Sequence, residues 1–151
     1  MRINVLDYYD EADWKLMREE ASRHETPFLV VNLNIIKQKY LELKKHFDFA
    51  KIYFAVKANP AKEVISLLRD LGSNFDIASR YELDLVLSLG VTPDRISYGN
   101  TIKKARDIRY FYEKGVRLYA TDSETDVMNL AKYAPGSKVF FRILTEGGET
   151  A

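Results

Sequence analysis

Lys57 is the residue whose type and position most directly suggest chemistry. It ends the apolar run IYFAV (52–56) and is followed by Ala-Asn-Pro. A lysine at the end of a buried strand places its amino group at the edge of a sheet, where we expect it to be partly buried. Partial burial favours the uncharged amine, which is the form that forms a Schiff base with a carbonyl compound.

Other polar residues follow or interrupt the neighbouring apolar runs. Asp76 lies between Phe75 and Ile77, where a carboxylate needs a partner. Arg142 lies within FFRIL, and we expect it to be buried against an anion, either a phosphate-bearing cofactor or an internal aspartate. The remaining polar residues near the ends of these runs are Asn59, Ser79, Asn100, Asp122 and Ser123. Several of them could instead be ordinary helix caps or turn residues.

Composition excludes several other kinds of site. The net charge of the 151 residues is +1 and both signs are interleaved, so we expect neither nucleic-acid nor membrane-surface binding. The sequence has no cysteine, and its two histidines lack partners at metal-ligand spacing, so no metal site is predicted. The start has no secretory signal pattern, and no apolar run is long enough to span a membrane. We therefore expect a soluble cytoplasmic protein.

Strand-like apolar runs alternate with helix-like amphipathic stretches. The stretch before Gly72 places Val64, Ile65, Leu68 and Leu71 on one helical face, and Gly72 is a predicted C-cap. The later stretches end similarly, at Gly90, Gly115 and Pro135-Gly136, and Ile102, Ala105, Ile108 and Tyr112 are predicted to share a face. Ser123 and Asp126 form a predicted capping box. The strand-like runs cover residues 28–33, 51–57, 74–79, 95–100, 116–122 and 138–144.

This alternation predicts an α/β fold with a parallel sheet, either a doubly wound sheet or a (β/α)8 barrel. The absence of a glycine-rich turn after the run 51–57 favours the barrel. Residues 1–33 precede the regular alternation and are predicted to contain a helix over 10–24 and the strand FLVVNL. We assign residues 1–33 to a different structural layer and 34–151 to an incomplete barrel of five strands.

Several linked motifs resemble the fold-type III pyridoxal-phosphate-dependent decarboxylases, which act on ornithine, lysine, arginine or diaminopimelate. KIYFAVKANP is similar to the family's Schiff-base lysine segment, and NFDIASRYELDLVLSLGV to its next strand-helix unit. PDRISYGNTIKK and LYATDSETDVMNLAKYAPGSKVFFRI continue the resemblance in the same order, over roughly residues 26–147.

The resemblance implies a (β/α)8 TIM-type barrel and a β-rich second domain that FLVVNL would join. Lys57 would form the Schiff base with pyridoxal 5'-phosphate, while Ala55, Asp76 and Arg142 would line the cofactor. Glu82 matches an acidic residue near that lysine. Ser79 and Asn100 are further candidates near the site.

The resemblance also implies a carbon–carbon lyase of polyamine biosynthesis. It would decarboxylate a basic amino acid, most closely ornithine to putrescine and also lysine to cadaverine, as a homodimer with shared active sites. A complete barrel needs about 250 residues, so we expect the 151-residue stretch alone to be inactive. The alternative is a non-catalytic protein of the same fold that binds pyridoxal phosphate in cofactor homeostasis or regulation.

Overall fold

The structure is a computed structural model that describes residues 4–145 and contains two compact units, Met1–Asn32 and Leu33–Ala151. The first unit contains a 3-10 turn over Val5–Asp7 and helix α1 over Glu11–Ala21. Asp10 caps α1 by accepting a hydrogen bond from the Asp13 N–H at 2.7 Å. No residue of α1 is buried.

The segment FLVVNL does not form the predicted strand. Residues 28–32 have no regular secondary structure, and helix α2 begins at Leu33. Phe28, Leu29, Val30 and Val31 are all exposed. A strand needs a neighbour to complete its hydrogen-bond ladder, and the sequence-based prediction placed that neighbour in a second domain. The assignment of residues 1–33 to such a domain stays a prediction.

The second unit alternates strands and helices from α2 onwards. Short 3-10 turns over Val56–Ala58 and Pro93–Arg95 interrupt the alternation. Its helices are α2 Leu33–His46, α3 Lys62–Asp70, α4 Arg80–Ser88, α5 Ala105–Glu113 and α6 Glu124–Tyr133. Its strands are β1 Tyr53–Ala55, β2 Asn74–Ile77, β3 Ile96–Tyr98, β4 Leu118–Thr121 and β5 Lys138–Phe141.

The five strands form one parallel sheet in the order β1-β2-β3-β4-β5. Each strand therefore pairs with the next one along the chain. A doubly wound sheet reverses its strand order at a switch point, whereas a (β/α)8 barrel keeps sequential neighbours throughout. The sequential order confirms the predicted α/β barrel class, with five of the eight strands within residues 4–145.

The core lies between the sheet and its helices. Alternate strand residues point to the helical side, as period-two side-chain alternation requires. The helices contribute Val64, Ile65, Leu68, Leu83, Val86, Ile108, Phe111 and Leu130, and the strands contribute Phe75, Ile77, Ile96, Tyr98 and Tyr119. Because this face of the sheet is filled by apolar side chains, polar groups on the same strands are left to the opposite face.

Glycine ends three of the helices as predicted. Gly72 follows α3 with φ +89°, a left-handed conformation that costs glycine little. Around it, the N–H groups of Gly72 and Ser73 donate to the carbonyls of Arg69 and Leu68, which is a Schellman motif. Gly90 and Gly115 also have positive φ, after α4 and α5.

Two details of the predicted helices are wrong. Helix α5 begins at Ala105, so Ile102 lies in the preceding loop, where it is 86% exposed instead of packing on the helical face. Ser123 caps α6 by accepting from the Asp126 N–H, but the Asp126 carboxylate does not complete a capping box. It pairs with Lys103 instead, because the loop before α5 brings that lysine to the start of α6.

Candidate active site

The candidate site lies on the face of the sheet opposite the helices. Ala55, Asp76 and Ser97 occupy adjacent register positions across β1, β2 and β3. An open pocket of about 610 Å³ extends over this face and the carboxyl ends of the strands. It is lined by Tyr53, Ala55, Lys57, Asp76, Ser97, Gly99, Leu118, Phe140 and Arg142. The strand alternation thus brings the four predicted cofactor-binding residues, Lys57, Ala55, Asp76 and Arg142, to one pocket.

Lys57 lies in the 3-10 turn Val56–Ala58 that directly follows β1. Val56 is fully buried and anchors this turn, while the Lys57 side chain is exposed. The expected partial burial of Lys57 is therefore wrong for the described part of the chain, because the five strands leave one side of the pocket open. The amino group remains free to reach a ligand above the sheet.

Asp76 is held from two sides. Ser97 Oγ donates a hydrogen bond to Asp76 Oδ1 at 2.6 Å, across the β2–β3 pair. Gly99 follows β3 so closely that a Cβ atom there would lie 2.6 Å from the Asp76 carboxyl carbon. The carboxylate is consequently fixed in orientation at the floor of the pocket, with the serine hydroxyl as its partner.

Arg142 is exposed, contrary to the expectation that it is buried. Its backbone N–H donates to the Thr121 carbonyl at 2.8 Å, which extends the β4–β5 pairing by one residue. No carboxylate within residues 4–145 forms an ion pair with its guanidinium, so the alternative of an internal aspartate partner is wrong there. The side chain lines the pocket beside Lys57 and is available to an anionic ligand.

The three further candidates are placed differently from one another. Asn100 lines a smaller adjoining pocket of about 230 Å³ with Lys57, and it also forms a turn, because its Oδ1 accepts from the Ile102 N–H at 3.1 Å. Ser79 caps α4, accepting from the Glu82 N–H at 3.3 Å. The Glu82 carboxylate accepts from the Ala78 N–H at 2.5 Å. Ser79 and Glu82 therefore stabilise the start of α4 and do not line the pocket around Lys57.

Sequence reasoning missed five pocket residues, which are Tyr53, Ser97, Gly99, Leu118 and Phe140. Side chains alternate between the two faces of a strand, so counting back from Lys57 by twos reaches Tyr53 on the same face. Ser97 pairs with Asp76 in the sheet, and Gly99 lies two residues after Ser97. Burial raises the pKa of the Tyr53 hydroxyl, and the nearby carboxylates of Asp76 and Asp94 raise it further. Tyr53 is thus a neutral hydrogen-bonding group in the pocket.

The arrangement combines an amine, a guanidinium and a fixed carboxylate around one opening. An amine can add to an aldehyde, and a guanidinium binds phosphate or carboxylate groups. By contrast, residues 4–145 contain no cluster of histidine and acidic side chains suited to a metal ion. Nor does any helix within that range have the length and apolarity needed to cross a bilayer.

Comparison with known families decides which amine chemistry applies. The sequence model of the family described as "Pyridoxal-dependent decarboxylase, pyridoxal binding domain" matches residues 33–151. The chain belongs to this family. The pyridoxal-binding domain thus has the same bounds as the second unit, and the cofactor is pyridoxal phosphate.

The relatives of this pyridoxal-binding domain are chiefly decarboxylases of basic amino acids. The chain is 36% identical to the lysine/ornithine decarboxylase of Selenomonas ruminantium over 129 residues, which is 85% of this chain and 33% of the relative. It is 31% identical to antizyme inhibitor 2 of Xenopus laevis, over 95% of this chain and 35% of the relative. Ornithine decarboxylases of Rattus norvegicus and Saccharomyces cerevisiae are also similar.

Solved structures show the same fold. A Selenomonas ruminantium lysine decarboxylase in complex with pyridoxal phosphate and cadaverine superimposes with a TM-score of 0.78 at 34% identity. The match covers 95% of this chain and 35% of that chain. The chain spans about a third of the length of the curated relatives it matches.

The pocket fits this cofactor in size and in chemistry. Its volume lies within the ordinary range for small-molecule sites, roughly 300–1,000 Å³. It offers a free amine for the aldehyde at Lys57 and a guanidinium for an anionic group at Arg142. Gly99 keeps the backbone next to Asp76 free of a side chain.

Proposed function

We propose that Lys57 holds pyridoxal phosphate through a Schiff base at Nζ, and that this chain supplies part of the active site of a decarboxylase. The observation that carries the proposal is the convergence of Lys57, Asp76 and Arg142 on one pocket of a pyridoxal-binding domain. Of the lysines in the described residues, Lys57 is the one that lines this pocket.

The proposed reaction is the decarboxylation of a basic amino acid. Ornithine, which gives putrescine, is the first proposed substrate, and lysine, which gives cadaverine, is the second. The name of the Selenomonas ruminantium relative includes both substrates. When bound, the cofactor accepts the electron pair that remains on Cα as CO2 leaves. The chain's own residues bind and orient the reactants around that centre.

Each pocket residue has a separate proposed role. Lys57 would hold the cofactor through Nζ and would give up that position to the substrate amine. Arg142 would bind an anionic group, and Asp76, oriented by Ser97, would bind a polar group of the cofactor. Ala55 provides the small side chain that leaves room between Lys57 and Asp76. Ser79, Glu82 and Asn100 remain predicted neighbours of the site.

A homodimer with shared active sites and a cytoplasmic location complete the proposal. The five strands leave the pocket open, so further groups must close it around a substrate. Their source would be the rest of the barrel, the second domain and a partner subunit. We expect no nucleic acid or membrane partner, consistent with the balanced charge.

A non-catalytic protein of the same fold is the second candidate function. The similarity to antizyme inhibitor 2 of Xenopus laevis favours it. The presence of Lys57 and Asp76 in one pocket supports cofactor binding, which a non-catalytic protein that binds pyridoxal phosphate shares, so only a test of turnover separates the two candidates.

Amine release by the full-length protein tests the proposed function. Ornithine, lysine, arginine and diaminopimelate are supplied separately to the wild-type protein, to Lys57→Ala and to Lys62→Ala. Lys62 is exposed at the start of α3 and serves as a matched control for loss of one lysine. We expect release from ornithine or lysine that persists in Lys62→Ala and falls to background in Lys57→Ala. No release from any of the four by the wild-type protein would favour the non-catalytic candidate.

A further inference from the structure

Lys103 is a buried lysine whose contacts converge on the loop that follows β3. Its side chain is 0% exposed. Nζ donates to the main-chain carbonyls of Asn100 at 3.0 Å and Ala120 at 2.6 Å, and lies 2.5 Å from Asp126 Oδ2. The side chain therefore joins the β3–α5 loop, the end of β4 and the first turn of α6.

Stability alone gives a weak reason for this lysine. Transfer of an ammonium group from water to the interior costs several kcal/mol, and a buried ion pair is often no more stabilising than apolar residues of the same volume. The three protons of Lys103 each have an acceptor here. Two of those acceptors are backbone carbonyls, so the group also fixes the path of the main chain, which an apolar side chain would not do.

The fixed segment forms one wall of the pocket. Gly99 lines the 610 Å³ pocket, and Asn100 lines the smaller adjoining pocket together with Lys57 and Asp76. Gly99 lies against the Asp76 carboxylate with no space for a Cβ atom. A small movement of the segment 99–100 would consequently change the position of Asp76 or the width of the pocket beside Lys57.

We propose that Lys103 is a positioning residue for the cofactor pocket, which it serves by holding the Gly99–Asn100 segment against Asp76 through the Asn100 carbonyl. The inference rests on the proposed function, since it assigns Lys103 to the site that Lys57 defines. Lys103 touches neither cofactor nor substrate in this arrangement. It acts through the backbone of the neighbouring loop.

Asp126 allows the backbone contacts to be separated from the ion pair. Asp126→Asn removes the negative charge but leaves Lys103 its carbonyl acceptors at Asn100 and Ala120. Lys103→Met keeps a long unbranched side chain and removes every contact of Nζ. Lys104→Met is the matched control for the loss of one lysine, because Lys104 is the exposed neighbour in the chain.

The experiment measures the dissociation constant of pyridoxal phosphate by absorbance titration of the cofactor-free full-length protein, together with the thermal unfolding midpoint of each variant. We expect the dissociation constant to rise at least tenfold in Lys103→Met. It should stay within threefold of wild type in Asp126→Asn, although both variants lose the ion pair and some stability. Lys104→Met should match wild type in both measurements.

If Lys103→Met does not fold, Lys103→Met/Asp126→Leu replaces it, because this variant leaves no unpaired carboxylate in the interior. The same tenfold loss is expected, with a higher unfolding midpoint than the single variant. Wild-type affinity in the folded variant that lacks Lys103 Nζ would overturn the proposal, and so would equal losses in Lys103→Met and Asp126→Asn. A wild-type protein that binds no pyridoxal phosphate would overturn the proposed function as well, so the two failures are distinguishable.

Discussion

A methyl group added at Gly99 provides a sharp test of the packing around Asp76. The Cβ atom of Gly99→Ala would meet both carboxylate oxygens of Asp76 and lie 2.6 Å from its Cγ, far inside van der Waals contact. Overpacking of this kind costs about 1–3 kcal/mol. Displacement of the carboxylate also weakens its bond from Ser97 Oγ, a hydrogen bond to a charged group, which contributes about 1.5–3 kcal/mol. We expect Gly99→Ala to lower the free energy of unfolding by about 2–4 kcal/mol.

A double-mutant cycle isolates the cause. Urea unfolding is measured for the wild-type protein, Gly99→Ala, Asp76→Ala and the double variant. Without the carboxylate, the added methyl group has space, so the cost of Gly99→Ala should fall below about 1 kcal/mol in the Asp76→Ala background. An equal cost of Gly99→Ala in both backgrounds would show that Asp76 is not what excludes a side chain at this position.

Three further changes probe other parts of the fold. Arg95→Ala should lower the free energy of unfolding by about 2–3 kcal/mol and leave affinity for pyridoxal phosphate unchanged. Its guanidinium donates to the carbonyls of Arg69 and Ser73 at the end of the sheet remote from the pocket, and a parallel loss of affinity would contradict this. Ser79→Ala should cost about 1 kcal/mol through loss of the α4 cap, and an unchanged urea midpoint would contradict that role. Burial, with nearby carboxylates, raises the pKa of Tyr98 to about 12 in the folded state, from 10.0. The folded state then holds a proton that the unfolded state loses, so stability should fall as pH rises from 10 towards 12. Between pH 10 and 12 the free energy of unfolding should therefore fall by roughly 2 kcal/mol less in Tyr98→Phe than in the wild-type protein. The same pH dependence of urea unfolding in both proteins would contradict this prediction.

The barrel units could be predicted from the sequence because their determinants are local. A buried parallel strand requires an apolar run, and glycine at a helix end supplies the left-handed residue of the Schellman motif, as at Gly72. The strand predicted at FLVVNL, by contrast, does not form. A strand depends on a neighbouring strand for its hydrogen bonds, and the sequence of residues 28–33 does not show whether a neighbour is present.

The candidate site could be predicted only in part. Lys57 and Asp76 are found by their positions in apolar runs, and the structure brings them to one pocket. Arg142 is exposed, although its position in the apolar run FFRIL predicted burial. The exposure of a side chain depends on its neighbours in the tertiary structure, which the local sequence does not specify. Lys103 has the same local pattern as the exposed Lys104 next to it, so only the tertiary structure shows that it is buried against Asp126.

Borohydride reduction followed by peptide mapping tests the central claim most directly. Reduction converts a Schiff base between pyridoxal phosphate and a lysine into a stable amine, and mass spectrometry then locates the modified residue. We predict that the full-length protein carries the reduced cofactor on Lys57, and that Lys57→Ala carries none. Stoichiometric label on another lysine, or label that survives in Lys57→Ala, would contradict the assignment of Lys57 as the cofactor-binding residue.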